Sequence, residues 1–277
     1  MQGTRGTRWQ GSSAASLSAV ADDLDGALAD GGDGARAGAS LFVAADIMRE
    51  QPALRRASTD PTVPGEAKAA LARELFGRHL DETATRVVAN AVARRWGAAR
   101  DLPDALAHLA VVAVVKAADA AGEGDRLEEE LFGFSRAVAD HPELRDALSD
   151  PARTISDKQG LVRSLVEGKV TSFALELCER AVTATHQTVT SALEDFIELT
   201  SATRGRLVAR VWSPRPLGER DADRLEAALT RIYDRQVHLN VVVDPDVLGG
   251  VRVEIGDEVI DGTIASRLDD ARRRLVG

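Results

Sequence analysis

Aromatic residues are scarce in this chain, with three Trp, one Tyr and six Phe making up 4% of its 277 residues. A sequence so poor in rings, whose apolar residues are mostly Ala, Leu and Val, favours packed helices over a β-sandwich. There is a single cysteine, Cys178, so an internal disulfide is excluded and no cysteine-based zinc site can be completed. Its neighbours Leu175 and Leu177 mark it as a buried, unreactive thiol suited to a reducing compartment. Long apolar runs are missing too. The densest, Leu109 to Val115, is far shorter than the roughly 20 residues of a membrane-spanning helix, so any membrane association has to come through partners. Positive charge is in deficit, 35 Lys and Arg against 44 Asp and Glu, for a formal net charge of -9. The summed field repels phosphate backbones and anionic lipid headgroups, which argues against a nucleic-acid partner. The opening MQGTRGTRWQGSS carries two arginines without an apolar core behind them and does not read as a signal peptide. Residues 1–12 are expected to form a flexible tail.

What the chain does have is length for two or three domains and a clear change of pattern. Residues 13 to 205 read as successive helices punctuated by Pro, Gly and Asp, with apolar stripes at helical spacing. From Pro103 to Ala121, Leu106, Leu109, Ala110, Ala113 and Ala117 make one stripe, while Val111, Val112, Val114 and Val115 cover much of the other side. A helix apolar nearly all round belongs at the centre of a bundle.

An internal repeat runs through this region. The stretch LFVAADIMREQPALRRASTDP from Leu41 aligns without gaps on LFGFSRAVADHPELRDALSDP from Leu131, a shift of 90 residues. Pro52, Leu54, Arg55, Asp60 and Pro61 meet Pro142, Leu144, Arg145, Asp150 and Pro151. Further along, Lys68, Leu71, Arg73 and Leu75 meet Lys158, Leu161, Arg163 and Leu165. Paired Pro and Asp-Pro breakers in one register predict that each copy is a helix, a short helix after a Pro, and two more helices.

After Gly205 strands take over. Leu207 to Val211, Val237 to Val243, and Val251, Val253 and Ile255 alternate with period two. Between the first two runs a helix is predicted from about Glu219 to Arg235, with Leu225, Ala228, Leu229 and Ile232 on one face. Gly256-Asp257 suits a two-residue hairpin turn, and Ile264 to Leu275 a final helix. The fold class is therefore mainly α, an N-terminal multi-helix bundle with an internal repeat followed by a small α/β C-terminal domain. The expected division is a tail at 1–12, an extra helical repeat at 13–102, a second helical domain at 103–205 and the α/β domain at 206–277.

No constellation able to move a proton or a phosphate emerges. Glu167-Gly168-Lys169 has Arg163 and Val170 where a phosphate loop needs glycine and Ser/Thr, so Gly168 reads as a helix C-cap. His79, His108, His141, His186 and His238 have no metal-ligand spacing. No catalytic, cofactor-binding or metal residue is assigned, and no cofactor is expected.

The most specific pattern lies between Leu239 and Leu268. Apolar residues precede Asp244-Pro245, followed by Leu248-Gly249-Gly250, Ile255-Gly256-Asp257 and Val259-Ile260-Asp261-Gly262-Thr263. In that order and spacing they resemble the C-terminal signature of ATP synthase delta subunits, the family of the oligomycin-sensitivity-conferring protein. Residues 103 to 277 resemble a whole delta subunit, with a six-helix domain at 103–205. Residues 1 to 102 depart from the usual pattern as an added half, a form that resembles the enlarged delta proteins of actinobacteria.

The resemblance implies a non-catalytic subunit of the peripheral stalk on the cytoplasmic face of the cell membrane. Such a subunit joins the α3β3 head to the b subunits so that proton-driven rotation is coupled to ATP synthesis. The implied partners are the N-terminal segments of α and the ends of b. For α, a groove between the helices at 103–121 and about 170–184 is expected, with Leu106, Ala110, Ala113, Leu175 and Cys178 as candidate lining. For b, the final helix is expected to offer Leu268, Ala271 and Leu275. Two other readings stay open on the residues alone. A free-standing helical-repeat adaptor would explain the duplication but not the signature after Asp244, and an enzyme with an acidic cleft would be revealed by micromolar ATP binding.

Overall fold

A computed structural model describes residues 9–183, 188–205, 207–233, 236–245, 247, 249–255 and 258–261. It divides into two compact units, Met1–Thr200 and Ser201–Gly277.

The first unit is helical. α1 (Gly11–Ala29), α2 (Gly34–Glu50), α3 (Pro52–Thr59), α4 (Gly65–Phe76) and α5 (Glu82–Ala93) are followed by α6 (Asp101–Ala120), α7 (Gly124–Asp140), α8 (Pro142–Ser149), α9 (Ile155–Val166) and α10 (Ser172–Ala181), and then α11 (Val189–Thr203). The 90-residue shift carries the first residue of each helix from α1 to α5 onto the first residue of its counterpart from α6 to α10. The local chemistry explains why the boundaries recur. Pro52 and Pro142 occupy the first turn of the short helices, where a missing N–H costs nothing. Asp60 and Asp150 each accept a hydrogen bond from the backbone N–H two residues on, at 2.8 Å in both copies, closing the same Asp-Pro turn. Caps then start the following helices. Asp81 accepts from Thr83 and Ala84 N–H at α5, Thr171 accepts from Ala174 N–H at α10, and Thr154 with Asp157 forms a capping box at α9.

The two copies are not separate bundles. One continuous apolar core contains Leu24 of α1, Leu41 and Met48 of α2, Val88 of α5, Leu106 and Leu109 of α6, Leu131 of α7, Leu177 of α10 and Leu193 of α11, all buried. α6 is the central element expected from its all-round apolar sequence, with every residue from Leu109 to Val115 buried. Its most intimate neighbour is α2, drawn in by glycines. A Cβ on Gly34 would meet Ala113 O at 2.9 Å, and one on Gly38 would meet Val114 Cγ2 at 2.6 Å and Ala110 O at 3.0 Å. Trp9, in the stretch expected to be a flexible tail, packs edge-on against His108 with ring centroids 6.2 Å apart.

In the second unit β1 (Leu207–Ser213), α12 (Glu219–Tyr233), β2 (Val237–Val243), β3 (Arg252–Ile255) and β4 (Glu258–Asp261) build a sheet of order β2-β1-β3-β4. β1 and β2 are parallel, joined through α12, while β3 and β4 are added antiparallel. Ala209, Val211, Val237, Val253 and Ile255 bury one face of the sheet with Leu229 of α12. The helix is rotated slightly from the expected stripe. Leu225, Leu229 and Tyr233 pack on the core, whereas Ala228 is exposed and Ile232 is 68% exposed. Tyr233, four residues beyond Leu229, holds this orientation because its hydroxyl donates to Glu258 Oε2 at 2.6 Å. The predicted helix at 264–275 lies outside the described residues.

Candidate functional site

Among the described residues no group of three His, Cys, Asp or Glu could hold a metal ion, and no helix is long and apolar enough to cross a membrane. In the Glu167-Gly168-Lys169 triplet, Gly168 has φ +76° just past the end of α9. Lys169 Nζ donates to Leu165 O at 2.8 Å, so the lysine caps a helix C-terminus instead of reaching for phosphate.

Four of the five side chains expected to line a groove between α6 and α10, Leu106, Ala110, Ala113 and Cys178, are fully buried, while Leu175 keeps partial exposure. The backbone at Ala110 and Ala113 is closely approached by Gly38 and Gly34 of α2. Polar contacts fasten the same helices together. Arg180 of α10 donates to Asp46 of α2 at 2.8 Å while its guanidinium lies 4.6 Å over the Phe42 ring. Arg49 of α2 reaches Asp46 at 3.4 Å and Asp104 of α6 at 3.1 Å. The chain's own α2 thus lies directly against α6 at Ala110 and Ala113, while Leu106 is buried in the shared core. The sequence signal for this was present in the Gly34 and Gly38 spacing, since glycines four residues apart let helix backbones approach closely.

The electrostatics of α10 follow from burial. The Cys178 thiol is pushed up to about 12, chiefly by desolvation and further by the Glu130 and Glu179 carboxylates, which makes it inert at neutral pH. The Glu176 carboxyl is also raised, by burial first, with Arg180 opposing and Glu179 adding to the shift. Glu130 of α7 is fully engaged. It accepts from Arg126 Nε at 2.7 Å, and from Thr171 N and Oγ1 at 2.7 and 2.8 Å, tying α7 to the start of α10.

Among the described signature residues, Asp244, Gly249, Gly250 and Asp261 lie at the end of the sheet where Ser213 pairs with Val243 and Arg252 with Asp261. The Asp244 backbone N–H donates to Ser213 O at 2.8 Å, closing the ends of β2 and β1 together. Gly249 and Gly250 both take positive φ, +68° and +76°, in the approach to β3, a conformation that side chains with a Cβ adopt only under strain. Asp261 is the last residue of β4. Gly256, Asp257 and Gly262, and the expected b-contact residues Leu268, Ala271 and Leu275, lie outside the described residues.

Residues 111–275 match the family model described as ATP synthase delta (OSCP) subunit. Curated relatives match over nearly their whole length. The ATP synthase subunit delta of Nocardioides sp. is 45% identical over 97% of this chain and 97% of its own. That of Kineococcus radiotolerans is 42% identical over 95% and 96%, and that of Streptomyces coelicolor 42% over 96% and 97%. Among solved structures, a chain of the Toxoplasma gondii mitochondrial ATP synthase hexamer is 20% identical, with a TM-score of 0.38, covering 60% of this chain and 95% of that one.

Proposed function

The chain belongs to the ATP synthase delta (OSCP) family, and from that membership we propose that it serves as a non-catalytic peripheral-stalk subunit of an F-type ATP synthase. In this role it ties the α3β3 head to the b subunits, so that the head stays fixed while proton flow turns the rotor. It acts on the cytoplasmic face of the cell membrane, held there by its partners. The observation that carries the reading is the near full-length match to relatives named ATP synthase subunit delta. Physically, a tie needs two separately folded ends, and each compact unit has its own apolar core.

The helical unit is assigned to the N-terminal segments of α, and the unit after 205 to the ends of b. A segment seated on α6 at Ala110 and Ala113 would have to displace α2. We infer instead that the α segment docks on the outer surface of the helical unit, a reading supported by the partial exposure of Leu175. A chain truncated after Gly205 should keep a helical spectrum and hold an α N-terminal peptide while losing b in a pull-down. Retention of b by the truncated chain, or loss of the peptide from a folded one, would overturn this division of labour.

A further inference from the structure

α6 is apolar on more sides than the first helix of a repeat requires. Every residue from Leu109 to Val115 is buried. The 90-residue shift carries Val112, Ala113 and Val115 back onto Asp22, Asp23 and Asp25 of α1, and there Asp22 and Asp25 are exposed. The first copy therefore folds with a polar outer side on this helix, and in α6 that side has become apolar.

The surface that meets it is equally unrepeated. Gly34 and Gly38 bring α2 onto α6, because their missing Cβ atoms leave room for Ala113 O and Val114 Cγ2. In the second copy Gly38 becomes Glu128, 1% exposed, so α7 carries a long side chain where α2 carries none. Leu41, Phe42, Ala45 and Met48 continue the buried side of α2. Toward its end Asp46 accepts from Arg180 of α10 at 2.8 Å, the same guanidinium lies 4.6 Å over the Phe42 ring, and Arg49 reaches Asp104 of α6 at 3.1 Å. An apolar face found on only one of the two first helices thus meets a glycine edge found on only one of the two second helices.

We propose that α6 and α10 form a helix-receiving face whose occupant is the chain's own segment 34–50, and that α2 stays seated there while partners bind, which closes this face to other chains. A competing helix would have to reproduce both the glycine edge and the carboxylate at Asp46. It would also have to overcome the high effective concentration of a covalently linked α2.

The test uses the full-length chain with a protease site inserted between Ala99 and Arg100, in the connection from α5 to α6. After cleavage the two pieces should remain one particle at roughly micromolar concentration. Gly38→Val should weaken their association about 30-fold or more, whereas Gly26→Ala, whose Cβ meets nothing within 4 Å, should leave it unchanged. A Cβ on Gly34 lies 3.1 Å from Ala117 Cβ, a small shift short of disulfide range. Gly34→Cys with Ala117→Cys, in a Cys178→Ala background, should therefore join the cleaved pieces into one band under mild oxidation. Closure is read with a fluorescent peptide of the α N-terminal segment, an arm that rests on the function proposed above. The uncleaved oxidised and reduced chains should bind it equally. Pieces that separate, association indifferent to Gly38→Val, cysteines that stay unjoined, or peptide binding lost on oxidation and restored by reduction would overturn the proposal. A peptide ignored by both forms would count against the α assignment alone, with the cross-link still deciding where α2 sits.

Discussion

Gly38 shows how much a single absent methyl can matter. A valine there would drive its Cβ into Val114 Cγ2 and the Ala110 carbonyl. Gly38→Val is expected to cost about 2–3 kcal/mol through overpacking, read as a fall in the urea midpoint. Gly26 of α1 is the control, because a Cβ built there meets nothing within 4 Å. Gly26→Ala should stabilise by about 0.5–1 kcal/mol through helix propensity alone. Gly249 and Gly250 matter for a different reason, their positive φ. Replacing either by Val should cost on the order of 1–2 kcal/mol, seen as a lower melting temperature of the second unit with the helical unit unaffected. At Cys178 the sign of the pH effect is fixed by burial. The folded thiol titrates at about 12, above its ordinary value, so the stability tied to the neutral thiol is intact below about pH 9 and lost as pH rises toward 12. Ellman's reagent at pH 8 should leave native Cys178 unmodified and react once denaturant opens the bundle. Rapid reaction in the native state would contradict the buried placement.

The helices, their order and the repeat were legible because they are written in local chemistry. Pro52 and Pro142, the Asp60 and Asp150 turns and the capping residues act within a few positions of themselves, so reading along the chain finds them. The strands after Gly205 were equally plain from their period-two alternation. Partner choice between helices was not legible in this way. Ala110 and Ala113 formed a correct apolar stripe, but the stripe does not say whether it faces α10 or α2; Gly34 and Gly38 decide that across some 75 residues of chain. Ile232 belongs to the same class, since Ile232 and Tyr233 compete for one inward position and the bond from Tyr233 to Glu258 favours the tyrosine. The α2–α10 fastening can be measured directly. A double-mutant cycle on Asp46→Ala and Arg180→Ala should give a coupling of about 0.5–1 kcal/mol, because the pair is partly solvent-screened at 36% and 18% side-chain exposure. A coupling of zero would mean that the glycine contact with α6 alone holds α2 in place.

At the scale of the molecule, two units with separate cores suit the proposed role of a tie between partners. The helical unit gathers both repeats around one core, so the added half enlarges that unit instead of hanging from it as an independent domain. The unit after residue 200 carries Asp244, Gly249, Gly250 and Asp261 of the family's signature at one end of a four-stranded sheet. The central claim is that the chain is a mechanical tie, and the most direct measurement is the ratio of ATP-driven proton pumping to ATP hydrolysis in inverted membrane vesicles. With the chain truncated after Gly205, the account predicts that hydrolysis continues while pumping collapses, because the head is no longer held against the rotor. Pumping per ATP unchanged by that truncation would contradict it.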